Sequence, residues 1–159
     1  MAFSEFAIHP IDVGGGLLAI APMPGRGLSY AADLSTVFAW APALVISMTE
    51  QAEMDVKGAG RLGADLADAG MLWCHLPVVD FGTPVDLDWP AVRNQALGAL
   101  GRGERALVHC FGGCGRSGMI ILRLMIAAGE APQAALLRLR NIRPCAVETK
   151  AQMDWAWQG

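Results

Sequence analysis

The segment VHCFGGCGRSG, residues 108–118, determines how the rest of this chain is interpreted. It follows a short apolar run at residues 106–108 and precedes an apolar helical pattern at residues 119–128. A strand, a glycine-rich loop and a helix N-terminus in this order bring backbone N–H groups together around an anion. Cys110 stands at the base of the loop and Arg116 lies six residues later. The segment therefore predicts a thiolate nucleophile that faces a bound oxyanion.

Each residue type in the segment suits the removal of a phosphoryl group through a phosphocysteine. A free cysteine is only a few per cent thiolate at neutral pH, and the loop amides, the helix N-terminus and Arg116 all favour the anion. The planar fork of Arg116 can bind two phosphate oxygens at once. Ser117 can hydrogen-bond the sulfur when it leaves. The backbone N–H groups predicted to bind the phosphate belong to Phe111, Gly112, Gly113, Cys114, Gly115 and Arg116, and the glycines are expected to supply unusual dihedral angles.

Three segments resemble one family. The motif HCxxGxGRS at residues 109–117 resembles the phosphate-binding loop of cysteine-based protein tyrosine and dual-specificity phosphatases. Residues 77–84, PVVDFGTP, resemble the general-acid loop of the compact members, in which Asp80 lies between two prolines. Residues 140–149, with Gln152 just beyond, resemble the segment after the loop helix in the kinase-associated and Cdc14-like branch. The resemblance extends from about Leu17 to Trp157.

The resemblance implies roles for residues outside the loop. Asp80 would protonate the leaving ester oxygen and then accept a proton from the attacking water. Gln152 would position that water, and His109 would be buried, where it orients the loop and tunes the cysteine. The substrate would be a phosphorylated protein or a small phosphomonoester, either phosphotyrosine alone or with phosphoserine and phosphothreonine. No cofactor and no metal are expected, because Arg116 and the amides do what a metal would do.

Other interpretations remain open from the residues alone. A rhodanese-like sulfurtransferase or an arsenate reductase also places a cysteine above an anion-binding loop, but neither requires Asp80, which is otherwise an ordinary turn former. A non-catalytic phosphate-binding module is the third alternative. Cys114 is either a small loop residue or a disulfide partner of oxidised Cys110. Cys74 and Cys145 are expected in the core.

Length and composition predict one globular domain over residues 1–159, and the resemblance implies that it is a phosphatase domain. Apolar residues make up 53% of the chain and charged residues 17%, with a net charge of −3. This balance gives no sign of a nucleic-acid or membrane partner. The loop interior holds no lysine or histidine. Polyphosphorylated lipids and 5′-phosphorylated RNA would gain from extra positive charge there, so they rank below other substrates. Without an evident export signal, the thiol chemistry favours a reducing, cytoplasmic location. The oligomeric state is left open.

Alternating strand and helix patterns predict an α/β fold. It would have a central, mainly parallel sheet with helices on both faces, like that of a protein tyrosine phosphatase. Strands are expected near residues 17–21, 43–48, 71–76 and 106–109. Helices are expected at residues 31–40, 62–69, 88–100, 117–128, 131–141 and 148–157, with a shorter one after a cap at residues 49–53. Cys110 and Asp80 both follow strand ends, so the fold can bring them to one edge of the sheet.

Overall fold

Five strands form one twisted sheet in the computed structural model, which describes residues 6–27 and 29–159. The strands are β1 (His9–Val13), β2 (Gly16–Ala21), β3 (Leu44–Ser47), β4 (Leu72–His75) and β5 (Arg105–His109). Their spatial order is β1-β2-β5-β3-β4. β1 pairs antiparallel with β2, whereas every other neighbouring pair is parallel. The predicted α/β class with a mainly parallel sheet is confirmed.

In the described part of the chain, seven helices cover the two faces of this sheet. They are α1 (Tyr30–Trp40), α2 (Gln51–Val56), α3 (Leu62–Asp68), α4 (Trp89–Gly101), α5 (Gly115–Ala127), α6 (Pro132–Ile142) and α7 (Lys150–Ala156). The apolar side chains of α4, α5, α6 and α7 pack into one buried cluster. Those of α1, α2 and α3 pack into a second cluster on the opposite face. Among the described residues, no helix is long and apolar enough to cross a membrane.

The sequence pattern did not predict β1. Its sequence, HPIDV, contains a proline and an aspartate, both of which are uncommon in strands. An edge strand tolerates proline because one row of its backbone groups needs no partner. Gly14 and Gly15, with φ of 59° and 94°, form the two-residue turn that pairs β1 with β2. Such a turn requires positive φ at both positions, which glycine adopts without strain.

Most observed helix starts lie within two residues of the predicted ones, and two of them bear on the site. The short helix predicted after Thr49 begins at Gln51 and is capped reciprocally by Glu50 and Glu53. Helix α5 begins at Gly115 instead of Ser117, so Arg116 lies inside its first turn. This earlier start places the guanidinium group at the base of the predicted anion site.

The parallel register brings four strand ends to the same edge. Ala21 and Ser47 both stand opposite His109, and Ser47 stands opposite His75. The loops that follow β2, β3, β4 and β5 therefore meet at one edge, as expected for ligand sites in open α/β sheets. β5 lies inside the sheet, and its loop begins at Cys110.

Candidate active site

The loop at residues 110–114 has all of its carbonyl groups bound from outside. The carbonyl oxygen of Cys110 lies 3.2 Å from Nδ1 of His109, and that of Phe111 accepts from the Met23 N–H at 3.1 Å. Arg143 donates to the Gly112 and Gly113 oxygens at 2.9 Å each. The Cys114 oxygen accepts from the N–H groups of Gly118 and Val147, at 2.9 Å and 3.3 Å. These contacts fix the direction in which the loop peptides point.

The N–H groups of the same loop are left free. Within residues 6–27 and 29–159, the amides of residues 111–116 donate to no backbone or side-chain acceptor. Since a buried amide without a partner is costly, a run of such amides next to a thiol indicates an anion site. The six residues predicted to bind phosphate through their backbone are therefore brought together as a cradle.

Only one of the three loop glycines supplies an unusual dihedral angle, which corrects the expectation for the other two. Gly113 has φ of 69°, and a Cβ there would lie 2.6 Å from the backbone of Ala21 and Pro22. Gly115 has an ordinary φ, but a Cβ there would collide with Glu148 and Gln152. Gly112 has neither a positive φ nor a close neighbour. The loop requires glycine for dihedral freedom at residue 113 and for space at residue 115.

Cys110 lies under this cradle and is only 3% exposed. Its Sγ atom is 3.1 Å from Oγ of Ser117, which lies on the first turn of α5. The predicted pairing of the sulfur with Ser117 is present in the structure. A hydroxyl at this distance can donate to the sulfur when it carries negative charge.

His109 is buried, as the resemblance implied, and it belongs to a chain of hydrogen bonds. Trp73 donates its Nε1–H to Oγ of Ser47 at 2.8 Å, and that oxygen lies 2.6 Å from Nε2 of His109. A carbonyl oxygen can only accept, so the contact of Nδ1 with the Cys110 carbonyl places the proton of the neutral ring on Nδ1, and Nε2 accepts from the Ser47 hydroxyl. Nδ1–H then donates to the Cys110 carbonyl. Burial lowers the pKa of His109 to about 4, so the ring is neutral at physiological pH.

Arg116 is buried against a carboxylate that the sequence analysis did not identify. Its side chain is 1% exposed. Nη1 and Nη2 donate to the two oxygens of Glu53 at 2.7 Å and 2.8 Å, and Nη1 also donates to the Val78 carbonyl at 2.9 Å. Burial raises the pKa of Glu53, but the hydrogen bonds from Arg116 and from the Glu50 N–H, together with the positive charge of Arg116, outweigh burial and hold that pKa below its ordinary value. Glu53 is therefore a carboxylate at neutral pH.

These contacts leave one edge of the guanidinium group available. Of the five N–H groups of arginine, three are used by Glu53 and Val78. The remaining two, on Nε and Nη2, lie along the same edge. Nε is buried and has no hydrogen-bond acceptor among the described residues. The predicted fork for two phosphate oxygens is present on this edge.

Asp80 lies on the loop after β4, and its side chain is 54% exposed. One carboxylate oxygen is 3.6 Å from Nε of Arg116 and accepts from the Phe81 N–H at 3.0 Å. The chain turns here, because the Gly82 N–H donates to the Val79 carbonyl at 2.8 Å. Phe81 has φ of 65°, which is strained for a residue with a side chain and common at functional sites. Asp80 is thus a turn residue that also reaches the buried arginine.

Gln152 connects this loop to helix α7. Its amide oxygen accepts from the Glu148 and Thr149 N–H groups, and its Nε2 donates to the Gly82 carbonyl at 3.3 Å. The side chain is buried at the rim of the cradle, near Gly115. Its role in positioning water stays a prediction, and the structure adds a contact that ties the Asp80 loop to α7.

Cys114 pairs with Cys145, which corrects the expectation for both residues. The two sulfurs form a disulfide across 31 residues of chain. The proposed partner of Cys114, Cys110, has a free thiol, as does Cys74. Cys145 is exposed, whereas the sequence analysis expected it in the core. The bond ties the phosphate loop to the segment that carries Arg143.

The residues that sequence analysis missed are partners of residues that it found. A cation at a helix N-terminus is electrostatically disfavoured, so Arg116 required a ligand or a partner, and Glu53 is that partner. Arg143 was noted only as part of a resembling segment. Nothing in the sequence indicated Ser47 or Trp73, because their partnership with His109 joins three separate strands.

Comparison with known proteins confirms the resemblance to cysteine-based tyrosine and dual-specificity phosphatases. Cyclin-dependent kinase inhibitor 3 of Rattus norvegicus is 31% identical over 90 residues, which are 54% of this chain and 42% of the rat protein. Putative tyrosine phosphatase 067L of Invertebrate iridescent virus 3 is 31% identical over 91 residues, 52% of this chain and 38% of the viral protein. The matched segments thus span less than half of these curated relatives. No protein-family model matches the chain.

Solved structures match nearly the whole chain. A crystal structure of kinase associated phosphatase, with its catalytic-site cysteine replaced by serine, has a TM-score of 0.86 and 19% identity. It covers 96% of this chain and 93% of the other. Tk-PTP in its active form has a TM-score of 0.74 and 27% identity, covering 92% and 93% of the two chains. The fold of this chain is therefore that of tyrosine phosphatase-like structures.

The neutral, buried His109 predicts a loss of stability in mild acid. Between pH 6.5 and about 4, His109 binds a proton in the unfolded chain but not in the folded one. The contribution of neutral His109 to the free energy of unfolding is therefore fully present above pH 6.5 and falls as the pH decreases. The shift corresponds to an effect on the order of 3 kcal/mol. Urea unfolding at pH 7.5 and pH 5 should show a larger loss for the wild type than for His109→Asn, whose amide does not titrate. Equal losses of unfolding free energy in the wild type and in His109→Asn would contradict the assignment of a neutral, buried His109.

Replacing the guanidinium of Arg143 should loosen the anion cradle. Lysine keeps the charge but cannot hold two carbonyl oxygens with one planar fork. We expect Arg143→Lys to weaken binding of inorganic phosphate about tenfold, equivalent to about 1.4 kcal/mol, as measured by calorimetric titration. Arg102→Lys, at an exposed position far from the loop, is the matched control and should bind phosphate as the wild type does. Unchanged affinity in Arg143→Lys would show that the loop carbonyls need no clamp.

The Cys114–Cys145 bond should stabilise the folded chain. A loop of this length predicts about 3–4 kcal/mol from restriction of the unfolded state. A phosphine reductant should therefore lower the melting temperature of the wild type and leave that of Cys145→Ser unchanged. Alkylation of the unfolded, unreduced chain should label two cysteines, Cys74 and Cys110. Labelling of all four would contradict the bond.

Proposed function

We propose that this chain, which shares the fold of the cysteine-based protein tyrosine and dual-specificity phosphatases, hydrolyses phosphomonoesters through a covalent phosphocysteine. The observation that carries the proposal is the arrangement around Cys110. Six backbone N–H groups have no partner in the described part of the chain, and the open edge of a buried arginine adjoins them. A tetrahedral dianion offers enough acceptor oxygens to satisfy such a set of donors.

In the first step the Cys110 thiolate attacks phosphorus in line with the ester bond. The S–P bond forms while the P–O bond to the leaving group breaks, and Asp80 supplies the proton that the leaving oxygen needs. Negative charge remains on the three equatorial oxygens, where the amides of residues 111–116 and the free edge of Arg116 bind them. Because these donors are fixed before the reaction begins, little reorganisation is needed as the charge shifts.

In the second step water attacks the phosphocysteine. Asp80, now a carboxylate, accepts a proton from this water, and the S–P bond breaks to release inorganic phosphate. Ser117, 3.1 Å from the sulfur, donates a hydrogen bond to the departing thiolate. Gln152 would orient the water, as the resemblance implies, and its hydrogen bond to the Gly82 carbonyl, which holds it against the loop of Asp80, supports this role.

Glu53 and His109 support these steps without touching the substrate. The bidentate contact from Glu53 fixes the plane of Arg116, so that its free edge faces the cradle. His109 remains neutral and holds the carbonyl of Cys110 outward through Nδ1. Both are positioning residues for the nucleophile and its anion.

The proposed substrate is a phosphorylated protein or a small phosphomonoester. Kinase associated phosphatase and the viral tyrosine phosphatase suggest a phosphorylated protein, and a small phosphomonoester would fit the same loop. Whether phosphotyrosine alone or all three phosphorylated hydroxyl residues are accepted is left open. A cytoplasmic location also stays a proposal, and the Cys114–Cys145 bond weighs against a strongly reducing compartment.

The contact between Asp80 and Arg116 favours a phosphatase over sulfur transfer or arsenate reduction. Neither of those reactions needs a carboxylic acid beside the anion site. Here Asp80 lies 3.6 Å from the one arginine nitrogen that has no hydrogen bond. A non-catalytic phosphate-binding module would need the amides and Arg116 but would have no use for Cys110 next to Ser117.

The mechanism is tested by hydrolysis of an aryl phosphate in excess chelator. The wild type should turn over, and Cys110→Ser should lose activity by at least about a thousandfold because it removes the nucleophile. Asp80→Asn should lower kcat about a hundredfold or more, as expected for removal of a general acid. The loss of kcat in Asp80→Asn should be smaller for an ester whose leaving group is stable as an anion and needs no proton.

Two controls accompany this experiment. Arg102→Gln removes an exposed charge far from the loop and should match the wild type. Trapping with acid should recover a phosphorylated Cys110 in the wild type. Activity that survives Cys110→Ser would overturn the proposal, and an inactive wild type would direct attention to sulfur transfer or arsenate reduction.

A further inference from the structure

We propose that Arg26 and Lys57, which both lie over the ring of Phe111, form a subsite for a second anionic group on a phosphopeptide substrate. This deepens the proposed function and rests on it. The guanidinium carbon of Arg26 is 5.5 Å from the ring centroid, and Nζ of Lys57 is 5.9 Å from it. Both distances are within the range of cation–π attraction. The ring thus holds two cations at the rim of the phosphate cradle.

The position of Phe111 places this subsite next to the reacting group. Phe111 follows Cys110 directly, and its own amide belongs to the cradle. The Met23 N–H donates to its carbonyl, which ties the segment after β2 to the loop. Gly25 packs against the Lys57 carbonyl, where a Cβ would lie 3.3 Å away. Arg26 and Lys57 are therefore brought to the same side of the loop by two separate segments.

These cations have no carboxylate partner in the part of the chain that the structure describes. Among residues 6–27 and 29–159, no Asp or Glu oxygen lies within 4.0 Å of the charged nitrogens of Arg26 or Lys57. The nearby acids are engaged elsewhere: Asp33 accepts from the Gly25 N–H, and Asp55 accepts from Gln51. Both cations are exposed, so a ligand can reach them.

A third cation increases the positive charge at this rim. Burial lowers the pKa of Arg143, and the nearby positive charge of Arg26 lowers it further. Arg143 donates to the carbonyls of Gly112 and Gly113, which are uncharged, so these contacts leave its positive charge without a counter-ion. Like charges held together without a counter-ion favour binding of an anion at that place.

The opposite side of the loop is lined by apolar side chains. The strand order places the segment after β2, which carries Arg26, and the segment after β4 on opposite sides of β5. Lys57 follows β3 through α2, but its backbone packs against the segment after β2, which brings it to the side of Arg26. Val79, Phe81 and Val85, on the acid loop after β4, are exposed apolar side chains. A substrate that spans the site therefore meets cations on one side of its phosphate and apolar groups on the other.

A phosphopeptide fits this polarity better than a lipid surface does. Neighbouring side chains of an extended peptide can offer an acidic or phosphorylated residue on one side and an apolar residue on the other. Attachment to an anionic membrane takes clusters of four to eight basic residues, whereas the chain has a net charge of −3. The second anion is either a carboxylate or another phosphate, and the two are distinguished by experiment.

The test compares phosphopeptides that differ at one neighbour of the phosphorylated residue. Gln, Glu and phosphoserine are placed there in turn, on the N-terminal or the C-terminal side, and the position of dephosphorylation is read by mass spectrometry. For the wild type we expect kcat/KM to be about tenfold higher with Glu or phosphoserine than with Gln on the preferred side. Exposed charge pairs contribute a few-fold each, so Arg26→Gln with Lys57→Gln should reduce this ratio to about twofold or less.

The control is Arg102→Gln, which removes the same charge far from the loop and should keep the full ratio. Raising the ionic strength should reduce the ratio in the wild type, because exposed charges are screened. Preference for phosphoserine alone identifies a second phosphate as the ligand, and an equal gain with Glu identifies any anion.

The subsite would be overturned if the wild type had the same kcat/KM with Glu, phosphoserine and Gln on either side of the phosphorylated residue. If it still hydrolysed aryl phosphate, the proposed function would stand. A ratio that the double variant does not change would overturn the subsite as well. Binding of the wild type to phosphatidylserine vesicles, lost in the double variant and without any peptide preference, would replace the peptide with a membrane surface. Absence of aryl phosphate hydrolysis would instead count against the proposed function itself.

Discussion

The structure around Cys110 depends on one constraint of the backbone. Every peptide unit carries a carbonyl as well as an N–H, so a loop can direct its N–H groups at a ligand only if its carbonyls are satisfied elsewhere. Here the donors come from His109, Met23, Arg143, Gly118 and Val147, which belong to four separate parts of the chain. The anion site is therefore built by the surroundings of the loop as much as by the loop itself.

The second requirement is a buried cation that stays charged and oriented. Arg116 lies at the N-terminus of α5, where the helix dipole disfavours it, and it is almost fully buried. The carboxylate of Glu53 accepts two hydrogen bonds from the guanidinium group, and this pairing compensates for the cost of burying the positive charge of Arg116. Because Glu53 uses only the outer edge of the guanidinium, the inner edge is kept for a ligand. The ion pair thus gives orientation as well as charge.

The proposed nucleophile and the proposed general acid are held with different rigidity. Cys110 lies under a loop that is fixed on all sides, with a disulfide between Cys114 and Cys145 as an additional link. Asp80 stands on an exposed loop that contacts the body of the site through Arg116 and through Gln152. A fixed anion site combined with an acid on an exposed loop allows substrate to enter before the acid approaches.

The sequence by itself determined the strand–loop–helix at residues 106–128, the place of the proposed nucleophile and arginine within it, and the α/β class. These follow from local causes, since apolar runs, glycine spacing and helix signals act within a few residues. Only the tertiary structure decided that Glu53 pairs with Arg116, that Ser47 and Trp73 join His109 in a chain of hydrogen bonds, and that Cys114 bonds to Cys145 and not to Cys110. Such pairs join residues more than 25 positions apart. No local pattern records which buried donor finds which acceptor, because that is set when the sheet edge brings the loops together.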